Sequence, residues 1–495
     1  MSIQFIDNAS IDKNTRRLIR SHVAKGKNLG RTIHRPSRHP RKARVTASED
    51  TAPELRPEAD NSIESAVSLT IQRQLQEELS SSLPFDTSPT CRRLFCHCWF
   101  YPGRLFSFML RTNQTEVATF MRLEPYTPEL RKTVIKIDGP RLFLQYAFFD
   151  EAFFHCVVAM SVAASIPFTA TRQETTEAFS HLSRGIQLVN QRLAENRDSA
   201  LSGTTLAVVI LMAQHERLLG YYDHALVHFE GLHKIVALRG GISTVVSECP
   251  GVAQKALQAD FDFALHLGSS TRFSPKCIPG KAALGWLREK YWETRTESHH
   301  APVFAISEKE GFREVFEDMC VLAWLVNDNT VHGITVNDYD FHNILLLIGY
   351  RLLNVQPLNT PIEDRDKLEL LLHLGLAALM AKFFFTMGMK PPDVDLLYRY
   401  IVSAALKHQY TSRDEQERLL WLLFTGKSTL LINVDDDIWL IPEISRVTAQ
   451  LGISTWDQVS RILQKFPWVR TFSNESAQTL WNQTCSLDLL KRPSS

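Results

Sequence analysis

His224-Ala-Leu-Val-His-Phe-Glu-Gly-Leu-His-Lys-Ile-Val-Ala-Leu-Arg-Gly-Gly241 is the stretch that decides the fold class. Ala225, Phe229, Leu232 and Val236 recur at i, i+4, i+7 and i+11, which puts one apolar stripe on a 3.6-residue period. The spacing predicts a helix over Ala225–Leu238. Arg239 falls at the negative end of its dipole, and Gly240-Gly241 supply the positive φ angles that end helices. Upstream, Leu206-Ala-Val-Val-Ile-Leu-Met-Ala213 is apolar on nearly every side, as a helix inside a large helical body would be. Gly220-Tyr-Tyr-Asp-His224 joins the two.

Outward from this pair the same period predicts helices over Arg141–Ala164, Gln173–Glu195 and Leu206–Leu219. Further on it predicts Lys281–Thr296, Tyr339–Leu353, Asp364–Thr386, Leu396–His408, Asp414–Phe424 and Thr455–Leu463. Val434-Asp-Asp-Asp437 and Cys249-Pro250-Gly251 read as loops. No stretch alternates as a strand does, so the expected fold is all-α: a large multi-helix body of packed helix pairs. No period of 20–50 residues repeats. Gly220 to Ala225 echoes a tetratricopeptide helix pair, but one unit cannot bury the continuous core of a solenoid.

A chain of 495 residues has room for two or three ordinary domains or one large helical body. Hydrophobic residues at 44 % and charged residues at 22 % are those of a soluble globular protein. The eight cysteines are scattered, and Met1 to Asp7 lacks the basic start and apolar run of a secretory signal, so free or buried thiols in a reducing compartment are expected. Leu368 to Met389, the most membrane-like stretch, is interrupted by Glu369, His373 and Lys382. Its apolar runs fall short of the ~20 residues a span requires.

A net charge of +1 conceals an asymmetry. Twelve basic residues and no acidic one lie between Lys13 and Arg44, which leaves 43 basic against 54 acidic residues elsewhere. A cationic arm on an anionic body is the distribution expected when one segment meets a polyanion and the rest does not. The chain therefore divides into a largely disordered basic arm with an acidic, proline-containing linker (1–61) and a helical body (62–490). Asp12 or Asn14 is placed to cap a short arm helix that Gly26 would end, and Ser62–Leu79 reads as an amphipathic helix. Arg16 and Arg20, one turn apart, are placed to straddle phosphates, with Arg17 on an adjacent face and Lys25 and Lys27 following. Such contacts position a protein without reading bases. Arg35-Pro-Ser-Arg38-His-Pro-Arg41-Lys42-Ala-Arg44 has the composition of a nuclear import signal. Import, nucleic-acid contact and a solvated tail are all consistent with this segment.

Glu216, Gly220, His228, Gly231-Leu232 and Arg239-Gly240-Gly241 resemble the signature of the fungal-specific transcription factor regulatory domain. Ala178-Phe-Ser-His181 through Ile186, Leu188-Val-Asn190 and Arg192-Leu193 resembles that family's earlier helix, and Asp150-Glu-Ala-Phe-Phe-His155 the start of the one before it. The resemblance spans roughly Gln145 to Phe273. A second one lies at the N-terminus. Phe5-Ile-Asp7-Asn8, Arg16-Arg17-Leu18-Ile19-Arg20-Ser21-His22-Val23 and Lys25-Gly26-Lys27-Asn28 look like the opening of fungal proteins that carry this domain without a zinc cluster, a group sometimes labelled the tachykinin family. The family's DNA-reading zinc cluster needs six cysteines within about thirty residues. The first ninety residues of this chain hold none. The resemblance implies an all-α regulatory body, located in the nucleus and acting on transcription, with packing rather than catalytic roles for the matching residues. It implies partners among other transcription factors or copies of itself.

The remaining chemistry-bearing patterns favour bland readings. Cys91, Cys96, His97 and Cys98 crowd one centre, and no matching second pair follows them. His224-x3-His228 has the spacing of a helical zinc pair, with His233 or His215 as further ligands, yet no glutamate sits as in a metalloprotease helix. Gly426-Lys427-Ser428-Thr429 resembles the end of a phosphate-binding loop, but Trp421 stands where its earlier glycine belongs. Asp260 and Asp262 are close in sequence without a sign of a shaped pocket. Neither an esterase nucleophile elbow nor a dinucleotide fingerprint appears. The sequence is read as no enzyme, with no metal, no cofactor and no membrane contact. Its expected function is control of a metabolic or biosynthetic gene set. The alternative is a helical cofactor of other transcription factors that makes no DNA contact of its own.

Overall fold

Helix α4 (Gly203–Leu218) starts where Ser202 accepts a hydrogen bond from the Thr205 amide at 3.2 Å, and it is buried from Thr205 through Arg217 on every side. Gly220 turns the chain at φ 78°, and α5 (Tyr222–Leu238) returns along α4. The expected stripe is buried in full: Ala225, Phe229, Leu232 and Val236 all face the core, joined by Ile235. Gly240 and Gly241 take φ angles of 103° and 94°. Arg239 is more than a dipole partner. It donates to the Leu201 carbonyl at 2.8 Å and to Glu248 Oε2 at 2.7 Å, which ties the end of α5 to the segment before α4.

The computed structural model describes residues 135–136, 146–147, 149–165, 172–195, 197–295, 310–360, 365–384 and 394–490. These residues are 82 % helical, in sixteen helices, so the fold is all-α. They belong to one compact unit, Ser68–Ser495. The ten basic positions singled out in the arm, the cysteines at 91, 96 and 98, and the helices expected in the arm and over Ser62–Leu79 lie outside the described residues.

Before α4 come α1 (Glu151–Ser165), α2 (Arg172–Glu195) and the single turn α3 (Arg197–Ala200). α1 begins at Glu151 and not at Arg141, because the Asp150 side chain accepts from the Phe153 amide at 2.9 Å and closes the first turn there. After α5 follow α6 (Ile242–Glu248), α7 (Pro250–Leu267), α8 (Lys281–Arg295), α9 (Glu310–His332), α10 (Asp338–Val355) and α11 (Lys367–Phe384). The last five are α12 (Asp395–Lys407), α13 (Arg413–Thr429), α14 (Val434–Leu451), α15 (Trp456–Leu463) and α16 (Arg470–Leu490). The strand content among the described residues is one two-residue parallel pairing, Ile135 with Val336 and Lys136 with Asn337.

Two expected loops are helix starts. Cys249-Pro250-Gly251 opens α7, with Pro250 in the first turn, where its missing N–H costs nothing. Val434-Asp-Asp-Asp437 is the first turn of α14. Asn433 and Asp436 form a capping box there, and the three carboxylates meet the positive end of the dipole. α13 also runs past its expected end at Phe424 to Thr429.

α4 packs between α1 and α5, α7 connects this group to α10 and α12, and α11 lies against α13, which in turn carries α14, α15 and α16. Close approach at the α11–α13 crossing depends on Gly375: a Cβ there would lie 2.2 Å from Trp421 Cζ3. Trp421 is fully buried, stacks on Phe466 at 5.1 Å and donates its indole N–H to the Pro467 carbonyl at 3.2 Å, so it has little room to yield. Thermal melts check both contacts. Phe229→Ala should cost about 3–5 kcal/mol through the cavity it leaves. Gly375→Ala should cost about 1–3 kcal/mol or more through overpacking. A melt of either variant matching wild type would contradict the packing described here.

Candidate functional site

The α4–α5 turn folds one carboxylate into a group of three histidines. Glu216, in the last turn of α4, lies next to His215 and is reached from α5 by His224. His215 Nδ1 is 3.2 Å from Glu216 Oε1, and His224 Nδ1 is 3.5 Å from Glu216 Oε2. His228, one turn beyond His224, completes the group and is coupled to Glu216 electrostatically. The hydrogen bond from His215 holds the Glu216 carboxyl below its usual pKa against the opposing effect of burial. Burial lowers the pKa of His228, and Glu216 partly offsets that.

The sequence singled out Glu216 as a signature-like position and His224, His228 and His215 as candidate ligands. It did not join the acid to the histidines, because His224 and His228 reach Glu216 only through the Gly220 turn. His233 goes elsewhere and stacks on Phe273 at 5.3 Å. Among the described residues no three His, Cys, Asp or Glu side chains are arranged to hold a metal ion. The contacts of Glu216 with His215 and His224 span the α4–α5 corner.

Behind the corner, α4 and α7 share a buried polar seam. Asp262 is fully buried, with Arg217 Nη2 3.8 Å from its Oδ2. Burial raises its pKa to about 6 despite the nearby charges of Arg217 and Lys255. Gln214 lies close enough to lower that value, but neither Asp262 oxygen accepts a well-formed hydrogen bond. Gln214 Oε1 itself accepts from Arg217 Nε at 2.6 Å. Asp260 is a structural anchor. It accepts from the amides of Arg272 and Phe273 at 3.0 and 2.9 Å and from the Tyr350 hydroxyl at 2.9 Å. The two aspartates, two residues apart and so on roughly opposite sides of α7, serve separate packing tasks and do not converge.

Gly426-Lys427-Ser428-Thr429 is α-helical. The Ser428 and Thr429 hydroxyls return to the Thr425 carbonyl at 2.9 and 2.8 Å, and Lys427 pairs with Asp437. With its amides inside a helix, this segment forms no phosphate-cradling nest. No described helix is long and apolar enough to cross a membrane.

Comparison with protein-family models, with curated proteins and with solved structures found no match for this chain.

The corner has a definite pH signature. Glu216 has a folded pKa below its ordinary value of 4.5, so its contribution is present above that pH and is lost as pH falls through the folded value. His228, with a folded pKa below 6.5, likewise favours the folded state at higher pH. Both act in the same direction. Glu216→Gln should therefore melt lower than wild type near pH 7, with the gap narrowing as pH drops below about 4.5. His228→Ala should cost far less than Phe229→Ala in the same assay. A gap for Glu216→Gln that is constant across pH would remove the carboxylate's charge from the account.

Proposed function

We propose that this chain is a transcriptional-regulator-like protein of a fungus that lacks a zinc cluster and controls a metabolic or secondary-metabolite gene set. The observation that carries this reading is the charge division. Twelve basic residues without an acidic one occupy Lys13 to Arg44, ahead of a body with an excess of acid. The signature-like residues Glu216, Gly220, His228 and Arg239-Gly240-Gly241 support it, since they occupy the corner and the helix end where packing and capping roles are wanted. On this reading Arg35 to Arg44 directs nuclear import. Arg16, Arg17, Arg20, Lys25 and Lys27 give weak, sequence-independent contact with DNA phosphates. The helical body meets other transcription factors or a second copy of itself.

One feature of the body favours the second reading, a partner-binding cofactor that does not touch DNA. Val434 and Ile438, one turn apart on α14, are 82 % and 75 % exposed. An apolar pair of this kind suits a partner surface.

A fluorescent fusion should be mainly nuclear, and alanine at Arg38, Arg41, Lys42 and Arg44 should move it to the cytosol. Exclusion of the wild-type fusion from nuclei would end the regulator reading. DNA binding by the purified chain separates the two versions. If about five arm residues neutralise phosphates, log K should fall with log salt at a slope of roughly −4.5. A chain starting at Ser62 should lose the binding. No binding by the full chain at low salt favours the cofactor reading, whereas tight, salt-tolerant, sequence-specific binding by the truncated chain contradicts both.

A further inference from the structure

Helices α1 and α2 carry the same short word: Glu151-Ala-Phe-Phe-His155 in one and Glu177-Ala-Phe-Ser-His181 in the other. In each, a glutamate stands four residues before a histidine, so carboxylate and imidazole share one helix face. The helices run antiparallel. Asp150 pairs with Arg192, Glu151 pairs with Arg184, and His155 meets His181. The two histidines therefore come from separate helices and arrive at one point. Their Nδ1 atoms face each other at 2.5 Å, with ring centroids 4.8 Å apart and planes inclined at 39°.

Only one of two facing imidazole nitrogens carries the proton between them. Which one is biased from behind. Glu151 Oε1 lies 3.7 Å from His155 Nε2 and is itself held by Arg184 at 3.0 and 3.2 Å. The carboxylate lies beyond hydrogen-bond distance, but its charge favours the His155 proton on Nε2 and so a lone pair on Nδ1.

We propose that His155 and His181 form a binding site for a borderline-soft divalent metal ion, Zn²⁺ foremost, which takes the place of the proton shared between their Nδ1 atoms. On binding, the Nδ1 proton of His181 passes by way of solvent to Nε2 of the same ring, so both rings stay neutral and each gives the lone pair of its Nδ1 to the ion. Zn–N bonds of ~2.0–2.1 Å in tetrahedral geometry set the nitrogens roughly 3.3 Å apart, so the rings must separate by roughly 0.8 Å. The pair is only partly buried, with the His155 side chain 15 % exposed, which leaves room for that movement and for entry from solvent. Burial first, then the neighbouring ring, disfavour the charged form of His155, and burial does the same at His181. With two ligands from the chain, two positions stay open to water or to a side chain of a partner. This differs from a closed structural zinc centre.

The test uses the full chain, without a histidine tag and stripped with chelator, titrated with Zn²⁺ by calorimetry with melts in parallel. One equivalent of Zn²⁺ should bind and raise the melting temperature. His155→Ala and His181→Ala should each weaken binding by at least about tenfold, and Glu151→Gln by about tenfold. His408→Ala should leave binding as in wild type. His181→Cys keeps a ligand at the same place, and with Co²⁺ it should give a thiolate charge-transfer absorption absent from wild type. This spectrum decides the matter if the alanine variants fail to fold in metal-free melts. Absence of stoichiometric Zn²⁺ binding, wild-type affinity in both alanine variants, or a Co²⁺ complex of His181→Cys without that absorption would each overturn the proposal.

Discussion

A helix with no solvent face has to satisfy its polar side chains inside the protein, and the body of this chain is built around that demand. α7 is buried from Val252 through Leu265 and carries Gln254, Lys255, Gln258, Asp260 and Asp262 into the interior. Asp260 meets the demand with two backbone amides and the Tyr350 hydroxyl, thereby fixing the chain leaving α7 against α10. Asp318 meets it from α9 with Arg288 of α8 at 2.6 Å and Arg351 of α10 at 3.0 Å. Buried pairs of this sort add little net stability against an apolar replacement, but removing one partner strands the other at a cost of about 3–5 kcal/mol. They specify which helices meet more than they hold them together. The apolar core around them supplies the cohesion.

The same demand explains where sequence reasoning succeeded and where it failed. α5 was legible because its buried face is purely apolar, even though Val227 and Leu238 stand exposed among its polar residues. α7 was not: Gln254, Lys255 and Gln258 interrupt the apolar rows at the positions that should have announced them, and Pro250 was taken for a break when it is a first-turn residue. α14 inverts the rule in its first turn, where Val434 and Ile438 face solvent while Asp436 is buried under Tyr398. The capping residues Asn433 and Asp436 were visible in the sequence and signal a helix start, but the cluster of acids invited a loop reading. α9 and α16 were missed as well. Trp468 and Arg470, just before and at the start of α16, bond to Asn327 of α9, a contact across 141 and 143 residues that no local pattern contains.

The candidate site was half legible for a related reason. Local spacing exposes residues on one helix, so His224 and His228 stood out as a pair. Glu216 and His215 join them only because the chain reverses at Gly220. His155 and His181 were each read as helix positions, while their meeting depends on the antiparallel pairing of α1 with α2. Charge segregation along the chain, by contrast, needs no tertiary information, and so the basic arm was evident from composition alone.

The crossing of α11 and α13 has a consequence for how this sequence can vary. Gly375 and Trp421 occupy a single volume, one side contributing backbone and the other an indole. Neither position has independent freedom. A side chain can appear at 375 only after the indole shrinks, and a smaller residue at 421 leaves a void unless 375 grows to fill it. The intermediate on either route is either overfilled or hollow. In evolutionary terms the two positions behave as one site with two letters, and drift between solutions requires both to change almost together.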